Sequence, residues 1–448
     1  MTYKKDEFGR QALPRVIGTV GSTALVVGIA IGSGIFLVPH NVAEEVGSVR
    51  SLLLVWVLGG ALALAGALSL AELGAAMPEA GGIYVYLREA YGKLPAFLFG
   101  WGMLLVIESG SLAALAVAFG IYSANLVPLS ATGQKITGCI IIGVLTLVNI
   151  AGAREGAAVQ TLFTVAKLAG LAAIMGFALY FHSAHHVFSS IPALPTPHTS
   201  LSSFGIALVG VLWAYNGWHA LSFSAGEVKD PSRALPRSYL IGTLIIIAAY
   251  LGANLAYLRA MPLPVLAEYQ RVASRAMQIF AGPAGATFVS VVILCSIFGA
   301  LNGNLLSGPR AYFAMARDGL FFTSVGRVHP RFRTPVLAIL IQGLWAMVLA
   351  VTGSYQQLYT YVIFSAWIFY AACIFAVLVL RRRAPLLRRP YHVWGYPVVP
   401  IAFVIAALAV VGNTMVREPR ESAIGLALIL IGIPIYFIWK KRASQPVA

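Results

Sequence analysis

Long apolar stretches recur along almost the whole chain, and they limit its possible folds more than any other feature. We count about twelve stretches of roughly 20 residues, the length that an α-helix needs to cross a bilayer. Backbone groups cannot remain unpaired in hydrocarbon, so these stretches are predicted to be helices. The predicted crossings lie near 16–38, 50–76, 94–127, 136–151, 156–181, 203–226, 237–259, 284–316, 334–352, 357–380, 397–416 and 422–439.

The composition agrees with a chain that faces lipid over most of its surface. Hydrophobic residues make up 59% of the chain and charged residues only 10%, and the mean hydropathy is +0.84. A water-soluble protein of 448 residues could not cover its surface with so few polar side chains. The sequence therefore predicts an all-α integral membrane protein.

The net charge of +16 is distributed according to membrane topology. With the N-terminus placed inside, most lysines and arginines fall in the cytoplasmic segments and few fall outside. The positive-inside rule then predicts that both termini are cytoplasmic. Because the positive charge is explained in this way, we expect no nucleic acid partner.

Two predicted crossings are interrupted near their middle, the first by Gly-Ser-Gly at 32–34 and the sixth by Tyr-Asn-Gly at 215–217. Two broken helices that open two five-helix units are typical of inverted-repeat transporters, whose substrate site lies between the breaks. The sequence predicts a first repeat over 1–200, a second over 201–390, and two extra helices with a tail over 391–448.

The first break offers groups that suit both ends of an amino acid. If the helix unwinds there, the amides of Gly32, Ser33 and Gly34 begin a new half-helix and point toward a carboxylate. The carbonyl of Ala30, just before the break, is predicted to accept a hydrogen bond from an ammonium group. The alternative is that these small residues only allow close helix packing.

The second break is predicted to complete the site. The carbonyls of Trp213 and Asn216 are candidates for binding the amine, and the rings of Trp213 and Tyr215 are candidates for a gate over the bound side chain. For Trp218, which follows the break, we favour simple packing.

Motifs along residues 15–395 resemble the L-type (light-chain) branch of the amino acid–polyamine–organocation transporters. This resemblance implies a LeuT-like core of two inverted five-helix repeats plus two further helices, and alternating-access transport of amino acids. It assigns the same binding and gating roles to the residues of the two breaks. The motifs are GSGIF at 32–36, AELG at 71–74, YGKLPAF at 91–97, AYNGWH at 214–219, KDPSRALPRS at 229–238 and FGALNGNLLSGPR at 298–310.

The chain departs from the family pattern at three points. Eukaryotic members bond to a heavy chain through a cysteine after the third helix, but 123–137 contains no cysteine, so we expect no disulfide-linked partner. We accordingly predict a prokaryotic cell (inner) membrane protein. Asn216 and His219 are larger than the residues that many relatives have at these two positions. They place more side chain near the pocket and therefore affect the substrate size that we expect.

Two charged residues are predicted inside crossings, where each costs roughly 2.5–3.5 kcal/mol. Lys167 lies in the middle of the fifth crossing, and the resemblance to sodium-independent relatives implies that its ammonium takes the place of a sodium ion. Glu108 lies in the third crossing. It is open to three interpretations: a structural ion pair, a carboxylate at a water-filled cavity, or a role in transport.

No metal site or cofactor is predicted. His182, His185 and His186 cluster in an outer loop, but a solvated loop is the favoured interpretation. The sequence also contains neither an ATP-binding loop nor the ionisable clusters of membrane enzymes. We therefore predict a sodium-independent secondary transporter of small, neutral L-amino acids, with exchange favoured over proton symport. A cationic amino acid or polyamine carrier ranks third.

Overall fold

The computed structural model describes residues 13, 15–180 and 200–443, and this part of the chain is almost entirely helical. The predicted outer-loop histidines lie outside the described residues. The helices are α1 Thr19–Ala30, α2 Gly34–Glu45, α3 Val49–Ala76, α4 Ile83–Tyr91, α5 Lys93–Gly102, α6 Glu108–Ser123, α7 Ala131–Ala151, α8 Ala153–Tyr180, α9 Leu201–Tyr215, α10 Pro231–Ala260, α11 Leu263–Leu266, α12 Val272–Ser307, α13 Pro309–Arg317, α14 Val336–Thr352, α15 Tyr355–Arg383, α16 Val398–Arg417, α17 Pro419–Leu430 and α18 Gly432–Ala443.

The predicted all-α membrane architecture is confirmed. Within residues 15–180 and 200–443, ten helical segments are long and apolar enough to cross a membrane, and α14 is a shorter apolar helix at the ninth predicted crossing. The sixth predicted crossing is divided into α9 and a 3-10 helix, Ala220–Glu227. The assignment of residues to two repeats and a C-terminal pair stays a prediction.

Both interruptions that the sequence predicts are present as helix breaks. Helix α1 ends at Ala30 and α2 begins at Gly34, while α9 ends at Tyr215 before the 3-10 helix. The two breaks touch each other backbone to backbone. A Cβ atom on Gly34 would lie 2.5 Å from Cα of Ala214, and one on Gly217, whose φ is +127°, would lie 2.6 Å from N of Ala30. Glycine is required at both contacts, since any side chain would separate the breaks.

Two other crossings deviate from a regular α-helix. The third is continuous from α5 to α6 through a π-helical turn, Met103–Ile107. The eighth, in α12, is interrupted at Ala281 and Gly282, whose backbone angles are not helical, so the long helix of this crossing starts at position 283, close to the predicted start. A proline follows directly at position 283, which accounts for a sharp bend.

The end of the bundle at which α1 begins and α15 ends is rich in arginine, and we call it the basic end. Arg310 forms a fully buried ion pair with Glu227 at 2.8 Å, and Arg88 pairs with Asp318 at 2.8 Å. Tyr84, on α4 outside the membrane-spanning helices, also donates to Asp318. Burial, together with this carboxylate, raises the pKa of Tyr84 above its ordinary value, so the phenol keeps its proton.

The chain before α1 is tied to the chain after the 3-10 helix. Ile17 and Val228 form an isolated parallel β-bridge, in which Ile17 N–H donates to the Glu227 carbonyl at 2.9 Å. Lys229 N–H donates in turn to the Ile17 carbonyl at 2.8 Å. The basic-end halves of the first and sixth crossings are therefore joined by main-chain hydrogen bonds.

Candidate functional site

A cavity lies between the two helix breaks, and about 20 Å³ of it is open to a water-sized sphere. This space holds about one water molecule, so the cavity is nearly closed in this arrangement. Six of its lining residues were predicted from the sequence, and four were not. The predicted ones are Ala30, Gly32, Ser33, Gly34 and Asn216 with Trp213 as the predicted gate, and the others are Ile29, Ser111, Leu115 and Asn304.

Trp213 is itself one of the residues that line the cavity. It lies next to Tyr355, which begins α15 at the end of the bundle opposite the basic end. Its Nε1 donates to the hydroxyl of Tyr355 at 2.9 Å, and this hydroxyl also bonds to Ser33 Oγ at 3.0 Å. The indole stacks on Tyr359, with ring centroids 6.0 Å apart. These contacts fix the position of the indole at the cavity, and its gating role stays a prediction.

At the first break, the predicted groups are present but not all of them are free. The amides of Ser33 and Gly34 lie at the N-terminus of α2, where a helix leaves its N–H groups without intrahelical acceptors. Gly32 N–H donates to the Ala30 carbonyl at 2.8 Å, and Tyr250 Oη donates to the same carbonyl at 2.8 Å. The Ala30 carbonyl is thus already occupied in this arrangement.

Tyr250 of α10 connects the two breaks. Its hydroxyl lies 2.8 Å from the Ala30 carbonyl and 2.7 Å from the Ala214 carbonyl, and the side chain is fully buried. One phenol therefore reaches backbone oxygens that the two helix ends leave exposed. The sequence analysis missed this residue, because a tyrosine within a regular apolar helix gives no local signal.

The residues of the second break divide into two groups. Asn216 lines the cavity, its N–H donates to the Trp213 carbonyl at 3.0 Å, and its Oδ1 accepts from Tyr370 at 3.2 Å. Tyr215 instead packs in the core against Trp56 and Tyr250 and is not a lining residue. Its contacts give no support to the predicted gating role.

Trp218 and His219 follow the second break, and both side chains are buried in the core. Tyr370 Oη lies 3.0 Å from a ring nitrogen of His219, so this tyrosine joins His219 to Asn216. Trp218 packs edge-on against Tyr370 and Phe403. Its contacts are those of the packing residue that the sequence favoured.

The ammonium of Lys167 is bonded to three carbonyl groups. Nζ lies 2.7 Å from the Gly28 oxygen, 2.6 Å from the Ile31 oxygen and 2.7 Å from the Ser296 oxygen, and the side chain is 0% exposed. Ser296 Oγ also donates to the Ile31 carbonyl at 2.9 Å. One cation therefore holds α8, the end of α1 and α12 together, and carbonyl oxygens surround it as they would a metal ion.

Glu108 is buried one helical turn from the cavity. It begins α6, it is 2% exposed, and Ser111 three residues later lines the cavity. No ion pair found among residues 15–180 and 200–443 includes Glu108. The structural ion pair considered for this residue is therefore not formed there.

Comparison with known proteins places the chain in a family. The model of the amino acid permease family matches residues 17–438. The chain belongs to the amino acid permease family. It is 37% identical over 436 residues to the serine/threonine exchanger SteT of Bacillus subtilis, covering 97% of this chain and 98% of the relative.

Mammalian permeases are also similar over nearly the whole chain. The mouse b(0,+)-type amino acid transporter 1 is 31% identical, with 98% of this chain and 92% of the relative covered. The mouse large neutral amino acids transporter small subunit 2 is 32% identical, with coverages of 96% and 82%. These permeases are transporters, so this chain is an integral membrane amino acid transporter and not an enzyme. The family expected from the sequence motifs is confirmed.

Proposed function

We propose that this permease exchanges small, neutral L-amino acids across the membrane without sodium, by alternating access. Sodium independence is proposed because Lys167 Nζ donates hydrogen bonds to the carbonyls of Gly28, Ile31 and Ser296. In sodium-coupled transporters of this architecture, unwound carbonyls of the first helix help to coordinate the ion. A fixed ammonium on such oxygens leaves no vacancy for sodium.

The proposed substrate is a small zwitterion. The cavity is small, and the amides of Ser33 and Gly34 face it with the positive end of the α2 dipole, which suits a carboxylate. A relative with 37% identity is named a serine/threonine exchanger, which supports both a small side chain and an exchange mode. We propose that serine, threonine and similar amino acids enter this site.

The proposed amine site needs one rearrangement. The predicted acceptors are the carbonyls of Ala30, Trp213 and Asn216. The Ala30 carbonyl already accepts hydrogen bonds from Gly32 and Tyr250, and the Trp213 carbonyl accepts one from the Asn216 N–H. A carbonyl oxygen has two lone pairs, so an ammonium can compete with these donors. We propose that substrate binding displaces the Tyr250 hydroxyl from the Ala30 carbonyl.

Two alternatives are ranked below neutral exchange. A carrier of cationic amino acids or polyamines calls for a carboxylate at the cavity, and the described lining residues include none. A proton-coupled symporter differs in its energy source and not in its site. For the membrane setting we propose a prokaryotic cell membrane with the basic end and both termini in the cytoplasm, and no disulfide-linked heavy chain.

Proteoliposome uptake tests the proposal directly. Purified protein is reconstituted, and uptake of labelled serine is measured with and without internal serine, in sodium and in choline buffers. Exchange predicts uptake that requires internal substrate and is the same in both buffers. Accumulation into empty vesicles driven by a proton gradient would favour symport, and a sodium requirement would refute the role given to Lys167.

A competition panel then tests the substrate class. Unlabelled serine, threonine, leucine, arginine and putrescine are each added to the exchange assay. The small cavity predicts strong competition by serine and threonine and weak competition by the larger or cationic compounds. Equal competition by arginine would contradict the neutral-substrate proposal.

A further inference from the structure

Glu108 occupies a position that the transport site does not use. It directly follows the π-helical turn Met103–Ile107, and such turns are frequent at functional sites because they shift the helical register. Its side chain is almost fully buried, and its Oε1 has no hydrogen-bond partner. A buried carboxyl oxygen without a partner calls for an explanation.

No cation is paired with Glu108 in the part of the chain that the structure describes. The facing helix α14 contains no ionisable residue. The titratable groups that interact with Glu108 electrostatically are Tyr312 of α13 and Tyr370 of α15. On α7, the ammonium of Lys135 is bonded instead to the Val351 carbonyl, at the opposite end of the bundle.

The remaining nearby cation is also engaged. Arg310, close to Tyr312 on the same helix, forms the buried ion pair with Glu227. An ionised Glu108 would consequently be a buried charge without a counterion, which costs several kcal/mol. Groups in that position ordinarily become neutral instead.

The side chain of Gln342, on α14, lies next to that of Glu108. Both side chains lie against Gly308. A Cβ atom added to this glycine would lie 2.4 Å from Glu108 Cγ and 2.7 Å from Gln342 Oε1, so the two side chains are close to each other. Gln342 Nε2 donates to the Asn304 carbonyl at 3.2 Å, which identifies Oε1 as the free acceptor.

Two buried oxygens without a partner therefore belong to side chains that lie next to each other. Both Glu108 Oε1 and Gln342 Oε1 lack a hydrogen-bond partner. Two acceptors cannot bond to each other, whereas a carboxylic acid O–H can donate to an amide oxygen. One proton on Glu108 removes the unpaired charge and gives the Gln342 oxygen its donor.

We infer that Glu108 is a proton-binding site of the permease, loaded in this arrangement and shared with Gln342. The proton comes from water on one side of the membrane and returns to water when the alternate arrangement exposes the carboxyl group. Gln342 is bonded to Asn304, which lines the cavity, so the proton and the substrate act on the same segment of α12.

Infrared spectroscopy of the purified protein tests the inference without transport. Near pH 7 an exposed glutamate, with a reference pKa of about 4.3, is ionised. We expect the wild type to show the C=O stretch of a protonated carboxylic acid, Glu108→Gln to lose that band, and the control Glu268→Gln, at an exposed position, to keep it. Absence of a Glu108-dependent band would overturn the inference.

A second variant keeps the test decisive if Glu108→Gln does not fold. Gln342→Leu keeps the volume and removes the acceptor, so the band should remain but shift to higher frequency as the O–H loses its partner. An unshifted band in Gln342→Leu would show that the two side chains share no proton.

The consequence for transport rests on the proposed exchange function. Serine exchange is measured at equal pH on both sides, with the two values raised together. We expect wild-type exchange to decrease as pH rises, and the activity that remains in Glu108→Gln not to change with pH. The same pH dependence of exchange in the two proteins would overturn the inference. Absence of exchange by the wild type at every pH would refute the proposed function, and the infrared result alone would then decide whether Glu108 binds a proton.

Discussion

Lys167 illustrates how one side chain can fix the arrangement of three helices. Hydrogen bonds to charged groups contribute about 1.5–3 kcal/mol each, and Lys167 makes three of them in a fully buried position. We predict that Lys167→Ala lowers exchange by roughly 100-fold or more, equivalent to about 2.7 kcal/mol. The control is Lys135→Ala, which removes an exposed lysine of the same type.

The measurement is serine exchange in proteoliposomes at matched protein content. A Lys167→Ala protein that is folded by gel filtration and still fully active would leave the ammonium with a packing role alone. Equal losses in the two lysine variants would indicate a general effect of removing positive charge.

Trp213 and Trp218 provide a matched pair of buried indoles. Trp213 lines the cavity, whereas Trp218 packs against Phe403 and Tyr370. We predict that Trp213→Ala weakens the apparent affinity for serine about tenfold, or about 1.4 kcal/mol. Trp218→Ala should act mainly on thermal stability. Competition binding and melting curves distinguish the two effects, and identical behaviour would mean that both rings only pack.

The site residues that the sequence predicted share one property: they lie at a local irregularity. Ser33 and Asn216 are found at helix breaks, and Lys167 is a charge within an apolar stretch, so each differs from its neighbours. Tyr250 and Tyr355 were missed because they come from regular helices far along the chain. Their roles arise only when folding brings them to the breaks.

At the scale of elements, the contact between the two breaks depends on the absence of a side chain. A Cβ on Gly34 would lie 2.5 Å from Ala214 Cα and 2.7 Å from its Cβ, and neither atom can move without moving the α9 backbone. We predict that Gly34→Val abolishes exchange while membrane insertion is kept. Gly32→Val should do the same, since its Cβ would meet Leu115 at 3.0 Å.

The matched control for both is Gly176→Val. A Cβ on Gly176 meets no atom within 4 Å, so the same substitution in α8 should leave exchange close to normal. Uptake assays on membranes with equal amounts of inserted protein make the comparison. Near-normal exchange by Gly34→Val would contradict the placement of the substrate at this break.

Tyr250 links the broken helices through a single hydroxyl, which makes it testable by the removal of one oxygen atom. Tyr250→Phe removes the one O–H donor that lies between the Ala30 and Ala214 carbonyls, a hydrogen bond that contributes about 1 kcal/mol. We predict lower thermal stability without substrate and partial restoration by serine, whose ammonium would replace the missing donor. Unchanged melting temperatures for Tyr250→Phe would refute this linkage.

The elements themselves were largely predictable, and the exceptions have physical causes. Apolar length identified the crossings, including the start of the eighth near 284, but hydropathy did not reveal the short helical segment that runs from Val272 to the break at Ala281 and Gly282. The sequence predicted the interruption of the sixth crossing at 215–217, but not that the segment after it is a 3-10 helix, Ala220–Glu227.

At the scale of the whole molecule, the orientation in the membrane can be tested at two exposed positions. Leu386, 98% exposed, lies at the basic end, and Ser130 lies at the opposite end before α7. We predict that an impermeant maleimide applied to intact cells labels Ser130→Cys and not Leu386→Cys, in a background without the three native cysteines. The reverse labelling pattern would invert the proposed topology.

The β-bridge between Ile17 and Val228 reduces the number of bodies that can move independently. Two main-chain hydrogen bonds join the segment before α1 to the segment after the 3-10 helix, and these segments lead to the two breaks on either side of the cavity. If both hydrogen bonds persist when the basic end opens, α1 and the 3-10 helix must move as one rigid body. A spin label on α1 would then report the motion of the 3-10 helix as well, with one shared rate constant in place of two.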